Sequence, residues 1–178
     1  MGDHGTDVVD EADLVARHRF RRDRQGRFRV GLEGPEQQLL EMLPRQVQEL
    51  LEQDDPSTAR VFPVAYTDDA KAEADYREMM GTQLLNQHRR ALDTLSSTAG
   101  AATIDEGEIH EWLDALEVLR LVLGTQLDVS EEGTMVEETD PRTTEFTIYH
   151  YLSMLQGEIV DALAAALPDA GTAGPDLA

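Results

Sequence analysis

Seven arginines fall between positions 17 and 29 (Arg17, Arg19, Arg21, Arg22, Arg24, Arg27 and Arg29) against a single acid, Asp23. The stretch is +6 inside a chain of net charge −21, so the remainder carries −27. Guanidinium forks match carboxylate and phosphate bidentately. Such a strip either folds against its own acidic body or offers itself to an anionic partner. Arg17, Arg19, Arg21, Arg27 and Arg29 are the candidate partner-binding residues. A further arginine, Arg120, interrupts the apolar run 118–123. Breaking a buried ion pair costs about 3–5 kcal/mol, so Arg120 should meet a carboxylate from another helix or line an anion pocket.

Other chemistry is sparse. Glu106, His110 and Asp114 share one helix face at i, i+4 and i+8, but a third ligand so far along suits a metal poorly. A solvated acidic face explains these residues better. Neither an HExxH pair nor the paired ExxH of di-iron bundles is present. Residues 128–135 resemble the start of a calcium loop, yet Thr139 stands where a bidentate Glu belongs. His88, on an apolar helix row, reads as a hydrogen-bonded core histidine. There is no P-loop, no GxGxxG and no GxSxG. No metal, cofactor or catalytic residue is expected, and the chain reads as a non-enzyme.

The elements that must position the arginines follow from periodicity. Ala16, His18 and Phe20 alternate with Arg17, Arg19 and Arg21, and Phe28, Val30 and Leu32 alternate with Arg27, Arg29 and Gly31. Asp23-Arg24-Gln25-Gly26 between them reads as a turn. The result is a β-hairpin with an apolar inner face and an arginine outer face. Gly34-Pro35 opens a first helix reaching about residue 53, which Pro44 should kink or split. Residues 54–67 read as a loop pinned by Val61-Phe62-Pro63. A second helix over 69–97 should bury the row Tyr76, Met80, Leu84, His88, Ala91 and Leu95.

Residues 96–103 read as a small-residue linker. Asp105 with Glu108 starts a central helix to about residue 127. After an acidic loop over 128–140, a last helix from Pro141 carries Ile148, Leu152, Leu155, Ile159 and Leu163. The expected fold is mostly α, a single domain over 14–167 in which an N-terminal hairpin precedes a bundle of about four helices. Residues 1–13 and 168–178 are expected to be disordered.

Composition narrows the classes further. With 178 residues and 40% hydrophobic content the chain can form one real core. No apolar run approaches the ~20 residues of a membrane span. Residues 1–13 lack the order of a signal peptide, so the expected compartment is the cytoplasm. Cysteine is absent, which removes thiolate and disulfide chemistry. A charge of −21 repels phosphate from most of the surface.

Four segments carry a resemblance: the arginine hairpin; Ala59-Arg60-Val61-Phe62-Pro63 with Ala65-Tyr66; Trp112-Leu113 through Arg120-Leu121 to Gly124-Thr125; and Tyr149 with Tyr151-Leu152 and Leu155-Gln156. In order and type they resemble the actinobacterial AosR-like family, a domain of unknown function often encoded beside the protease adaptor ClpS. The resemblance covers roughly residues 15–167. It implies an oxidative-stress transcriptional regulator acting through a sigma factor and a thiol switch. Without cysteine this chain has no disulfide switch, so the resemblance implies partner docking alone.

Three readings of the arginine face stay open. It docks a protein of the transcription apparatus, it enters a DNA groove as a two-stranded ribbon, or it neutralises its own acidic bundle. Phe20 and Phe28 point away from that face, which weakens a base-stacking role. A metal-binding bundle enzyme is the remaining alternative. The wide apolar faces of the third and fourth helices suit a homodimer as well as a core.

Overall fold

The computed structural model describes residues 19–129 and 141–166. The sequences expected to be disordered, most of the acidic loop and Arg17 lie outside them.

The hairpin forms where alternation places it. Strand β1 (Phe20–Arg22) pairs antiparallel with β2 (Phe28–Val30), in the register Phe20↔Val30, Arg21↔Arg29 and Arg22↔Phe28. The turn is built by Asp23, whose Oδ1 accepts hydrogen bonds from Gln25 N at 2.8 Å and Arg27 N at 3.0 Å. Gly26 sits at φ +82°, a left-handed conformation that glycine adopts without a Cβ clash. Phe20 and Phe28 are buried, as the inner face requires.

A third strand, β3 (Thr103–Ile104), joins β2 antiparallel with Phe28↔Ile104 and Arg29↔Thr103. The supposed linker therefore ends in a strand. Two residues are too few to show alternation, and β3 exists because β2 offers a free edge.

Helix α1 (Gly34–Glu52) continues through Pro44 as one helix, so of the expected kink or split, the split does not occur. Leu40, Pro44, Val47 and Leu51 form its buried face. An interior proline costs about 3 kcal/mol through a lost hydrogen bond and a ring clash. Burial of the ring against the core offsets part of that. The loop that follows contains a 3-10 helix, Pro56–Val61, started by Asp55, whose side chain accepts from Ser57 N (2.9 Å) and Ser57 Oγ (2.6 Å). Those bonds favour the charged form and hold the Asp55 carboxyl below its ordinary value. Val61 is buried and fastens this segment, as expected.

Helix α2 (Ala70–Thr98) is capped by Asp69, which accepts from Lys71 N and Ala72 N. It buries only Ala91, Leu92 and Leu95. The expected row is thus corrected in its first half, since Tyr76, Met80, Leu84 and His88 are only half-buried. Helix α3 (Glu106–Gln126) is the central element, packed on α1, α2, the 3-10 helix and α4. The Asp105–Glu108 capping box forms in both directions, at 2.8 Å and 2.7 Å. Helix α4 (Thr143–Ala165) starts just past Pro141 and buries Phe146, Leu152, Leu155 and Ile159.

Trp112 joins the sheet to the bundle. It is fully buried, meets the Phe20 ring edge-on at 5.8 Å, and donates from Nε1 to Thr98 Oγ1 at 2.8 Å. The molecule is α-rich, with a three-stranded sheet laid on the bundle. Among the described residues no helix is long and apolar enough to cross a membrane.

Candidate functional site

The hairpin sorts its arginines into two sets. Arg19 lies in a bend before β1, so strand alternation does not govern its direction. Its Nε donates to Glu36 Oε1 on α1 at 3.0 Å, and its Nη1 to Glu158 Oε1 on α4 at 2.6 Å. Burial opposes its charge, but the Glu158 and Glu36 carboxylates outweigh burial and hold the guanidinium above its ordinary value. Glu36 Oε2 also accepts from Glu33 N at the start of α1. Tyr151 adjoins this cluster, and burial first, then the Glu36 charge, pushes its phenol far up.

Arg22 and Arg27 are also engaged. Arg22 Nη1 donates to Ala166 O at 3.0 Å and Nη2 to Glu106 Oε2 at 3.1 Å, with the guanidinium 5.9 Å from the Phe28 ring centre. Arg27 donates to Thr103 Oγ1 and Thr103 O, both at 3.1 Å. Three arginines therefore tie the hairpin to α1, α3, α4 and β3. For Arg19 this corrects the picture of a uniformly outward face, because its donors are spent on part-buried carboxylates of the bundle, whereas Arg27 stays exposed and bonds along the sheet surface to Thr103. Arg22 shares the phase of Phe20, so the alternation itself marked it as an inner-face residue.

Arg21, Arg24 and Arg29 behave differently. All three are exposed, and their side chains make no hydrogen bond or ion pair among the described residues. Arg21 and Arg29 stand directly opposite each other across the hairpin. Like charges so placed, with Cβ atoms about 5 Å apart, destabilise a sheet. Arg24 adds a third charge at the turn. Strand alternation left it out of the candidate set, though its place in the turn exposes it.

Arg120 is three-quarters buried, and its partners differ from those expected. Nε donates to Ser153 Oγ at 2.9 Å, Nη1 donates to Gln156 Oε1, and the guanidinium lies 5.7 Å from the Tyr149 ring centre. Its carboxylate is Glu117, one turn earlier on the same helix, at 3.5 Å. The partners from the facing helix are thus a hydroxyl and an amide, which satisfy the donors without burying a second charge. Arg60, Arg120 and Tyr149 line a small cavity of about 210 Å³.

The remaining candidates resolve into ordinary contacts. The Glu106 carboxylate takes Arg22, and His110 Nδ1 lies 2.6 Å from Glu106 O. Among the described residues no three His, Asp or Glu side chains converge as metal ligands. The calcium-like stretch lies outside the described residues beyond Val129. Both ring nitrogens of His88 are buried, with the Val61 backbone as their polar neighbour, and the ring meets Phe62 edge-on at 5.8 Å. Burial pushes its pKa down, which the Val61 backbone and the Asp114 charge only partly oppose.

Fold and site together define an α-rich bundle bearing a small antiparallel sheet that exposes three unengaged arginines. The chain belongs to the family described as a domain of unknown function, DUF2017, whose model matches residues 17–163. It is 28% identical over 130 residues to the AosR protein of Mycobacterium leprae, covering 63% of this chain and 60% of the relative. It is 25% identical over 124 residues to proteins of Mycobacterium bovis and Mycobacterium tuberculosis named oxidative stress regulator AosR, covering 60% of this chain and 57% of each relative. The chain thus spans about 60% of the length of the curated relatives it matches. Those names give the family a regulatory role. No solved structure matches.

Proposed function

We propose that this chain is a non-enzymatic regulator that docks an acidic surface of a transcription-apparatus protein, such as a sigma factor, through Arg21, Arg24 and Arg29. One observation carries the reading: Arg21 and Arg29 are exposed, directly opposed and unpartnered among the described residues. A carboxylate seated between them would turn a repulsion into a bidentate contact. Arg17 belongs to the same arginine-rich stretch of sequence and lies outside the described residues. Arg19 and Arg27 leave the contact set and become supports that hold the hairpin in place. The relatives named as oxidative stress regulators support the pathway, with a different trigger, since these 178 residues contain no cysteine for a thiol switch.

The test is partner capture from host lysate under nuclease, beside a variant carrying Arg21→Ser, Arg24→Ser and Arg29→Ser. Recovery of a sigma factor or polymerase subunit by the native chain only is the expected result. Equal recovery by both chains would refute the assignment of these arginines. A partner lost on nuclease treatment would move the hairpin to nucleic acid.

A further inference from the structure

The longest helix is poorly covered. Over its first 21 residues, 70–90, α2 has no buried residue, although 29 residues of helix extend about 43 Å. Alongside this half lies a cavity of about 540 Å³, walled on one side by Pro56, Phe62 and Val64 and on the other by Tyr76, Met80 and Leu84. That volume falls within the ~300–1,000 Å³ typical of ligand sites. Beside it Val64, which lines the cavity, is 51% exposed, and Tyr66, whose ring meets Tyr76 at 6.1 Å, is 50% exposed. A contiguous exposed apolar surface of this kind marks an interaction site more often than a shortfall of core.

Charge identifies the occupant. Residues 52–78, which carry both walls, hold eight acids and three bases. The bases are spoken for: Arg77 pairs with Glu73 at 2.6 Å, Lys71 with Asp75 at 3.0 Å, and Arg60 donates to Val129 O at 3.1 Å. Asp54, which lines the groove, and Asp68 and Glu78 nearby in sequence have no hydrogen bond or ion pair from their side chains among the described residues. We propose that this groove takes an amphipathic helix of a partner protein, its apolar side seated between Phe62 and Met80 and its polar side rich in lysine or arginine. A second copy of this chain fits badly, because it brings a net −21 to an already acidic rim and carries its exposed arginines on a hairpin, not on an amphipathic helix. The groove is separate from the hairpin and of opposite sign, so it stands or falls independently of docking through Arg21, Arg24 and Arg29.

Gly81 provides a clean test. It lines the groove, and a Cβ built there meets nothing within 4 Å. Gly81→Leu therefore adds apolar bulk on the groove side from a Cβ that meets nothing, and raises helix propensity. The probe is a fluorescein-labelled peptide with leucine at every third and fourth position and lysine elsewhere, read by anisotropy. Its twin carries glutamate for lysine. Gly81→Leu should weaken binding of the lysine peptide about tenfold or more with no change in net charge, and the glutamate peptide should not bind. Met80→Gln, which removes apolar wall without adding bulk, should weaken it in the same direction. Equal binding to wild type and Gly81→Leu would reduce the contact to general attraction by an acidic protein and overturn the proposal. Binding of both peptides, or a wild-type dimer in sedimentation velocity that Gly81→Leu dissociates, would overturn it as well.

Discussion

Replacing Arg19 by methionine should separate supporting arginines from free ones. The change keeps a long apolar stem and removes two ion pairs, to Glu36 at 3.0 Å and Glu158 at 2.6 Å. All three side chains are about one-quarter exposed or less. An exposed pair contributes about 0–1 kcal/mol, whereas breaking a buried one costs about 3–5 kcal/mol. This site lies between those limits, and the loss leaves Glu36 and Glu158 without their shared cation. The expected destabilisation is about 2 kcal/mol, roughly a 30-fold shift in the folding equilibrium and about 4–8 °C in Tm. Urea unfolding followed by circular dichroism measures it. Adding Glu158→Gln to Arg19→Met should cost less than the two single changes summed, because they remove one interaction. Arg21→Met is the comparison: it should stay within about 0.5 kcal/mol of wild type, leaning toward stabilisation as its repulsion with Arg29 is relieved. If Arg19→Met destabilises no more than Arg21→Met, the division of the arginines is wrong.

Three further outcomes follow from local geometry. Thr98→Val should strand the buried indole N–H of Trp112 and cost about 1–3 kcal/mol, and Trp112 fluorescence, the only tryptophan signal, should report the change during unfolding. His88 has a lowered pKa in the folded state, so its neutral form contributes stability above the unfolded value of 6.5 that is lost as pH falls through the folded value; His88→Leu should flatten the fall in unfolding free energy between about pH 7 and pH 5. Gly26→Ala forces a Cβ into a left-handed turn and should cost about 1–2 kcal/mol, with Gly26→Asn milder, as measured by thermal melts.

Much of this molecule was legible because its signals are local. The Asp105–Glu108 and Asp69 starts, the apolar rows of α3 and α4, and the Asp23–Gly26 turn each involve residues within a few positions of one another. Hydrogen bonds and periodicity at that range need no knowledge of the rest of the fold. The absence of cysteine and the charge reversal between residues 17–29 and the remainder are equally complete in the chain itself.

What escaped the sequence depends on residues brought together from afar. Strand β3 forms on an edge that β2 provides, and Pro44 stays within α1 because the core receives its ring. Arg19 and Arg21 look alike in sequence. They part because α1 and α4 deliver Glu36 and Glu158 to Arg19, whereas the register sets Arg21 against Arg29. Arg120 found a hydroxyl and an amide on the facing helix, where a carboxylate was expected, and its carboxylate, Glu117, on its own helix. The apolar row of α2 promised burial along its whole length, but among the described residues the neighbouring elements cover 70–90 only in part. Amphipathic spacing states which side of a helix is apolar; whether anything packs against that side is settled by the placement of distant elements.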